Sequence, residues 1–377
     1  MRLRHLDFLR GIAVLLVLLR HYALSYALYD VGWVGVDLFF VLSGFLVSSL
    51  LFNEYKKYNN IKPGLFLIRR GFKIYPLFYA AVILYLIFIL VKSIFGASNG
   101  DLIDAKELFS EIFFVQNYFY HIWEHTWSLA IEEHFYFSLV VIVFFLSKKK
   151  LLDNKKLFIG FFLFVAVTCL VLRIINYINV PFDNQTHVYP THLRIDSLMF
   201  GVFLSYLYSY SRDKYLSFFN KNKHLMLAAG LILASSCIFF RIETFFMNTF
   251  GLTFLYLGFG LILSVMVAAD DVDKTMNKFF GRWTVDIVAK IGFYSYSIYL
   301  WHRILIKYIH IGVDKLFPDG INQQLFFFIY FFSSIFFAIG MSKLIEQQFL
   351  KYRDKHFPTR SRALQLKNNT ETTPVKP

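Results

Sequence analysis

Apolar runs of about twenty residues, the length a helix needs to cross a bilayer, recur along this chain and are separated by short polar stretches. The runs predict about ten spans, at 8–28, 34–52, 71–93, 127–147, 157–176, 194–210, 224–241, 248–268, 291–309 and 324–346. The expected fold is therefore all-α, a polytopic transmembrane helical bundle of about ten helices. From about Pro358 the chain turns polar, ending TRSRALQLKNNTETTPVKP, which reads as a disordered tail. This divides the chain into an integral membrane domain, 1–350, and a basic tail, 351–377. No short-period repeat and no appended soluble domain is visible. A basic start and an apolar core also describe a cleaved signal peptide. Arg20 and His21 interrupt that core and another apolar run follows at once, so the first run reads as a retained span.

Lysine and arginine set the expected orientation. Lys56, Lys57, Arg69 and Arg70, then Lys148, Lys149 and Lys150, then Arg212, Lys214, Lys221 and Lys223 all fall on one side. Arg2 and Arg4 join them, as does the tail with Lys351, Arg353, Lys355, Arg360 and Arg362. That side is cytoplasmic, so both termini are expected inside and the protein in the cell (inner or plasma) membrane as a multi-pass protein. The opposite loops are poorer in basic residues, and the first long one carries Asp101, Asp104, Glu107 and Glu111.

Composition agrees. The 377 residues are 57% hydrophobic and 20% aromatic, with mean hydropathy +0.52, more apolar surface than a soluble domain hides. A net charge of +14 would admit a nucleic-acid partner, but the basic residues lie in short loops between apolar runs, so none is expected. Cys169 and Cys237 fall inside apolar runs and read as small buried hydrophobes; no disulfide framework or metal motif appears.

Against this background the polar positions inside the runs stand out. A charge near the centre of a spanning helix costs roughly 2.5–3.5 kcal/mol on insertion scales and points to function by default. The first span carries Asp7, Arg10, Arg20 and His21. Arg10 and His21 lie about three turns apart on one stripe, roughly 16 Å along the axis. In the second span Ser43 and Gly44 fit close helix packing, the commoner role of small residues. Asp37 at its outer end is a partner for Arg20, for which snorkelling or such a pairing is favoured over catalysis. Arg69, Arg70 and Lys73, in FLIRRGFKIYP, are either positive-inside anchors or a phosphate site, which arginine forks suit. Pro76 should distort or begin the helix there.

In HTWSLAIEEHFYF, His125 and Glu132 share a helical face, and Glu132, Glu133 and His134 start about one turn into the membrane. They line a cavity, meet a cation or form a structural ion pair. Arg194 and Asp196 are candidate partners for the Glu132 region. Ser295, Tyr299 and His302 share a face of the ninth span, and His302 reads equally as a hydrogen-bonded core histidine or a functional one. Glu346, ending the last span, is an interfacial residue with no strong reading. By depth, Arg10, Arg69, Arg70 and Lys73 make an anion site on the cytoplasmic side. His21 lies past the middle, and Glu132, Arg194 and Asp196 lie towards the outside. The division suits a phosphorylated donor from the cytosol and an acceptor from the far side. Buried charges also mark transport pathways, but paired broken spans with inverted symmetry are not visible.

The order and spacing of these elements resemble the membrane-bound acyltransferase family 3, whose members O-acylate bacterial surface glycans and other acceptors. The likeness rests on Arg10 and His21, GVDLFFVLSGF, the element Arg69, Arg70, Lys73, Ile74 and Pro76, WSLAIEEHFY from Trp127 to Tyr136, Arg194, Asp196 and Gly201, and SYSIYLWH from Ser295 to His302. Lys73 stands where arginine is usual and His134 where glutamine is usual. The SGNH-type domain fused to some members is not seen, so transfer is expected to be completed by the membrane domain or with a separate partner.

The resemblance implies an acyl-CoA co-substrate, usually acetyl-CoA; with no metal motif in the sequence, no metal is expected. It implies His21 as the catalytic histidine with Arg10 in support. Its CoA phosphates fall to Arg69, Arg70 and Lys73, and Glu132 orients His21 or holds the acceptor. His125, Trp127, Arg194, Asp196, Ser295, Tyr299 and His302 are expected to bind the acceptor, a glycan or lipid-linked glycan, within a shell of membrane lipids. His21 acts as general base or as an acyl carrier. The competing readings are an acceptor that is a lipid, peptide or small secreted molecule, and a non-enzymatic transporter or polymer exporter.

Overall fold

The computed structural model describes residues 4–22, 26–94 and 104–361, with backbone alone at 26–28. Most of the expected tail, 362–377, lies outside the described residues, as do Asp101 and Arg2. Among the described residues every regular element is helical. In chain order these are α1 (Arg4–His21), α2 (Tyr26–Val31), α3 (Gly35–Tyr58), α4 (Pro63–Ile94), α5 (Ala105–Ile112), α6 (Trp127–Lys148), α7 (Lys155–Asn179), α8 (Asn184–His187) and α9 (Thr191–Tyr210). They continue as α10 (Arg212–Lys221), α11 (Lys223–Ala234), α12 (Ser236–Phe239), α13 (Leu252–Ala268), α14 (Val272–Phe280), α15 (Arg282–Phe293), α16 (Ser295–Leu316), α17 (Gln323–Met341) and α18 (Gln347–His356). A 3₁₀ turn, Glu124–Thr126, precedes α6, and π turns precede α13 and α18.

Six helices are long and apolar enough to cross a membrane: Tyr29–Tyr58, Pro63–Ile94, Glu124–Lys148, Lys155–Asn179, Met247–Ala268 and Gln323–His356. A seventh arises if α10 and the α11–α12 stretch, bent by 81°, form one span. The expected ten are not reached on this criterion, and the reason is polarity. α1 carries Arg4, Asp7, Arg10 and Arg20 in 18 residues, α9 carries Arg194 and Asp196 among serines and tyrosines, and α16 carries Arg303 and Lys307. The outward faces of the apolar helices expose large hydrophobic side chains, such as Phe164 at 67%, Ile232 at 71% and Phe336 at 67%. Such surfaces suit lipid rather than water.

The chain divides into two compact units, one of Met1–Ile61 and Ile103–Ala338, the other of Lys62–Leu102 and Ile339–Pro377. In the first unit, α3 crosses α9 where glycines meet. A Cβ added at Gly44 would run into the carbonyl of Leu198, and one at Gly201 into that of Val41. α1 packs on α15 in the same way, through Gly11 against Val288 and Gly292 against Asp7. Lipid supplies little hydrophobic drive between helices, so close backbone approach at small residues is what associates them. Gly44 therefore has the packing role. Ser43, buried beside it, also donates its hydroxyl to Glu132 at 2.9 Å.

Two buried ion pairs tie α3, α7 and α9 together. Arg194 donates to Asp37 at 2.7 Å, and Arg173 to Asp196 at 2.8 Å; all four side chains are 1% exposed. Arg173 also donates to Thr253 of α13 at 2.9 Å and to the Leu193 carbonyl at 3.3 Å. The expected Asp37–Arg20 pair is not formed. Arg20 instead lies 4.5 Å from the Tyr29 ring centroid and donates to the Tyr29 carbonyl at 3.1 Å. Cys169 and Cys237 are buried and free.

In the second unit, α4 begins at Pro63, so Pro76 lies inside a longer helix rather than beginning one. Arg69 donates to Asp354 at 2.9 Å and to the Phe357 carbonyl. Lys73 pairs with Glu346, which also accepts from Ser342 at 2.7 Å. Glu346 is thus a buried partner for a basic residue. Phe72 packs among Phe349, Tyr352 and Phe357. α18 continues to His356, so helix crosses the expected 350/351 boundary between membrane domain and tail.

Candidate functional site

Three histidines from three elements of the first unit meet at the C-terminal end of α1. The His21 ring centroid is 4.9 Å from that of His302 on α16, and His302 is 5.1 Å from His125 in the turn before α6. Backbone carbonyls set two of the tautomers, because a carbonyl can only accept. His302 Nδ1 donates to the Tyr299 carbonyl at 2.6 Å, and His125 Nε2 donates to the Leu300 carbonyl at 3.0 Å. The lone pairs therefore sit on His302 Nε2 and His125 Nδ1, both buried without a hydrogen-bond partner among the described residues. The Tyr299 hydroxyl donates to the His125 carbonyl at 2.6 Å, so Ser128, 2.6 Å from the same oxygen, donates to it.

The turn that carries His125 is held from outside the spanning segments. Glu111 of α5 is fully buried and accepts from the Trp123 amide at 3.2 Å and the Thr126 hydroxyl at 2.9 Å. Gln116 donates to the Thr126 carbonyl at 3.1 Å. Burial pushes the Glu111 carboxyl up to about 7, against the hydrogen bonds that favour its charged form.

These elements enclose a cavity of about 270 Å³ whose wall includes His21, His125, Tyr299, Arg194, Glu124 and Arg303. Trp127 and Tyr189 also line it and stack nearly parallel, 4.9 Å apart. Glu124 accepts from the Tyr189 hydroxyl and pairs with Arg303 at 3.2 Å. The Arg194 guanidinium lies 5.7 Å from the Trp127 ring, anchored by Asp37. His302 is fully buried behind the wall against His21 and His125. The cavity thus combines imidazole nitrogens, guanidinium groups, a carboxylate and aromatic faces, the equipment for binding a polar molecule and moving a proton on it.

His21, His125, Trp127, Arg194, Tyr299 and His302 are brought together as a group. Asp196 is committed to Arg173, and Arg194 to Asp37, so neither is a partner of the Glu132 region as expected. Glu132 accepts from Ser43 and Tyr136 and is not among the described residues lining the cavity. Ser295 is buried at the start of α16, about two turns from His302, and Arg10 lies about three turns from His21 along α1. Arg69, Arg70 and Lys73 belong to the second unit. Glu124, Tyr189 and Arg303 were not anticipated, nor was Arg173. A charge inside an apolar run was the available signal for Arg173. Arg303 directly follows His302, and no local pattern marks Glu111 or Glu124 as site residues.

Fold and site together define a helical membrane protein whose first unit holds a histidine-lined polar cavity. The chain belongs to the family described as an acyltransferase domain, which it matches over residues 3–343. A Staphylococcus aureus (strain COL) protein provisionally named an O-acetyltransferase is 30% identical over 92% of this chain and 57% of its own length. The peptidoglycan O-acetyltransferase OatA of Listeria monocytogenes is 31% identical over 80% of this chain and 49% of its own. The O-acetyltransferase OatA of Staphylococcus aureus (strain NCTC 8325 / PS 47) is 28% identical over 81% and 51%. The chain thus spans about half the length of the curated relatives it matches. No solved structure matches it.

Proposed function

We propose that the chain is a membrane O-acyltransferase that moves an acyl group, in the simplest case acetyl, from cytoplasmic acyl-CoA to a hydroxyl of a cell-surface polysaccharide or lipid-linked glycan. The convergence of His21, His125 and His302 on one polar cavity, in a member of an acyltransferase family, carries this reading. The name of the Listeria monocytogenes relative, a peptidoglycan O-acetyltransferase, favours a glycan acceptor.

In the proposed reaction the acceptor hydroxyl sits in the cavity and a His21 ring nitrogen takes its proton. The oxygen attacks the thioester carbonyl carbon, and the tetrahedral intermediate collapses with cleavage of the C–S bond. CoA leaves as a thiolate and takes the proton back from the imidazolium. A positioned base of this kind contributes roughly 10²–10⁴-fold. His302 and His125 pack beside His21 and hold its surroundings dry and polar. Arg194, fixed by Asp37, supplies positive charge at the cavity wall, where the carbonyl oxygen becomes negative. The Trp127–Tyr189 pair offers flat faces to the C–H side of a sugar ring.

The donor phosphates are assigned to Arg69, Arg70 and Lys73, whose residue types suit them. Asp354 and Glu346 engage Arg69 and Lys73, so phosphate would exchange with those carboxylates. With the donor cytoplasmic, both termini and the tail 351–377 are placed inside.

The test is mass spectrometry and NMR of envelope glycans from a deletion strain carrying the wild-type or the His21→Ala protein at equal level. Ester-linked acyl groups should fall by about 10²-fold or more in the variant. Normal acylation with His21→Ala would overturn the assignment.

A further inference from the structure

A second cavity, of about 400 Å³, adjoins the first and shares Arg20, Tyr29 and Ile242 with it. The shared wall is a built element, since Arg20 stacks on the Tyr29 ring and donates to its carbonyl. Beyond it the second cavity is lined by Asp30, Phe239, Phe240, Arg241 and Glu243, between α2 and the segment after α12. Glu243 pairs with Arg241 at 3.4 Å, and its carbonyl accepts from the Tyr177 hydroxyl at 2.8 Å, which ties that segment to α7.

The charge pattern decides what chemistry fits. Two carboxylates, Asp30 and Glu243, face the same space as two guanidinium groups, Arg20 and Arg241. A lipid chain would leave four charged groups against hydrocarbon, which is costly. A phosphate would meet the carboxylates as well as the arginines. A polyhydroxylated neutral chain satisfies both signs, with carboxylates accepting from hydroxyls, guanidinium groups donating to them, and Tyr29 and Phe240 offering faces to the ring C–H groups.

We infer that the second cavity is the subsite for a neighbouring sugar of the acceptor, so that the acceptor is a glycan of two or more linked units rather than a single sugar or a bare lipid. This rests on the reading of the chain as a glycan O-acyltransferase. The unit to be acylated occupies the histidine-lined cavity, and the chain crosses the Arg20–Tyr29 saddle into the second.

The experiment uses the full chain in nanodiscs with labelled acetyl-CoA and four probes: N-acetylglucosamine, its β-1,4-linked dimer, its tetramer and a lipid-linked disaccharide. Transfer efficiency should rise about tenfold or more from monomer to tetramer. Phe240→Ala and Glu243→Gln should each remove about fivefold or more of that gain through KM and leave the monomer rate unchanged. Equal efficiency at all lengths, or losses in the variants that are the same for monomer and tetramer, would overturn the inference. So would a preference for a lipid-linked disaccharide over the tetramer that Phe240→Ala abolishes, since the cavity would then hold lipid. Acetyl-CoA turnover with no acetyl ester on any glycan would instead overturn the underlying reading.

Discussion

Arg173 lies in the apolar run that became α7, 1% exposed, and holds Asp196 at 2.8 Å. A buried charge without its partner is expensive, whereas removing both partners is often tolerated. Arg173→Met should therefore destabilise the protein by about 3–5 kcal/mol, and the double variant Arg173→Met/Asp196→Leu should recover most of that loss. Thermal unfolding of the purified proteins checks this, and a double variant no better than the single one would count against the pair. Glu111 gives a pH-dependent counterpart. Its carboxyl is raised from 4.5 to about 7 by burial, so the folded state holds its proton more tightly than the unfolded chain does. Stability from this group is full below about pH 4.5 and declines as pH rises to about 7. Glu111→Gln, which cannot ionise, should lose less thermal stability than wild type between pH 5 and pH 7.5. Parallel curves would show that another group governs the window.

Elements divide by what they carry. α4, α7, α13 and α17 are apolar enough to read as spans by composition. α1, α9 and α16 carry the polar residues of the first unit; α1 packs against α16, and α9 buries Arg194 and Asp196 against α3 and α7. The same charges that mark these helices as site-bearing are what lower their apolarity. In the second unit, α18 and the π turn before it present Asp354 and Glu346 to the basic face of α4. If Arg69 holds a donor phosphate, Asp354 competes for it. Asp354→Asn should then lower the KM for acetyl-CoA about two- to fivefold with kcat little changed. An unchanged or raised KM would show that the carboxylate has only a structural role.

For the whole molecule, the proposed orientation, with both termini inside, rests on lysine and arginine in the loops. Tyr120, in the segment between α5 and α6, and Lys149, after α6, are both exposed, and both native cysteines are buried. Tyr120→Cys should react with a membrane-impermeant maleimide in intact cells, and Lys149→Cys only after permeabilisation. The opposite labelling would invert the orientation and remove the cytoplasmic donor.

Sequence by itself determined the class of this protein: helices of membrane-spanning length, polar residues at fixed steps within them, and a motif order shared with an acyltransferase family. Helix positions were legible because a 3.6-residue period and a fixed bilayer thickness leave few alternatives. α6 starts at Trp127 as its apolar run predicted. His21, His125, Tyr299 and His302 could be singled out because polar groups are rare where they stand. Their partners could not be read, because pairing depends on which helix faces lie within about 3 Å after packing. Along the chain Arg194 reads as a partner for the Glu132 region and Asp37 as a partner for Arg20. Glycine contacts that bring α3 onto α9 paired Arg194 with Asp37 and left Glu132 to Ser43. The second cavity is likewise a tertiary product, made where Arg20 of α1, Tyr29 of α2 and Glu243 beyond α12 come together across more than two hundred residues of chain.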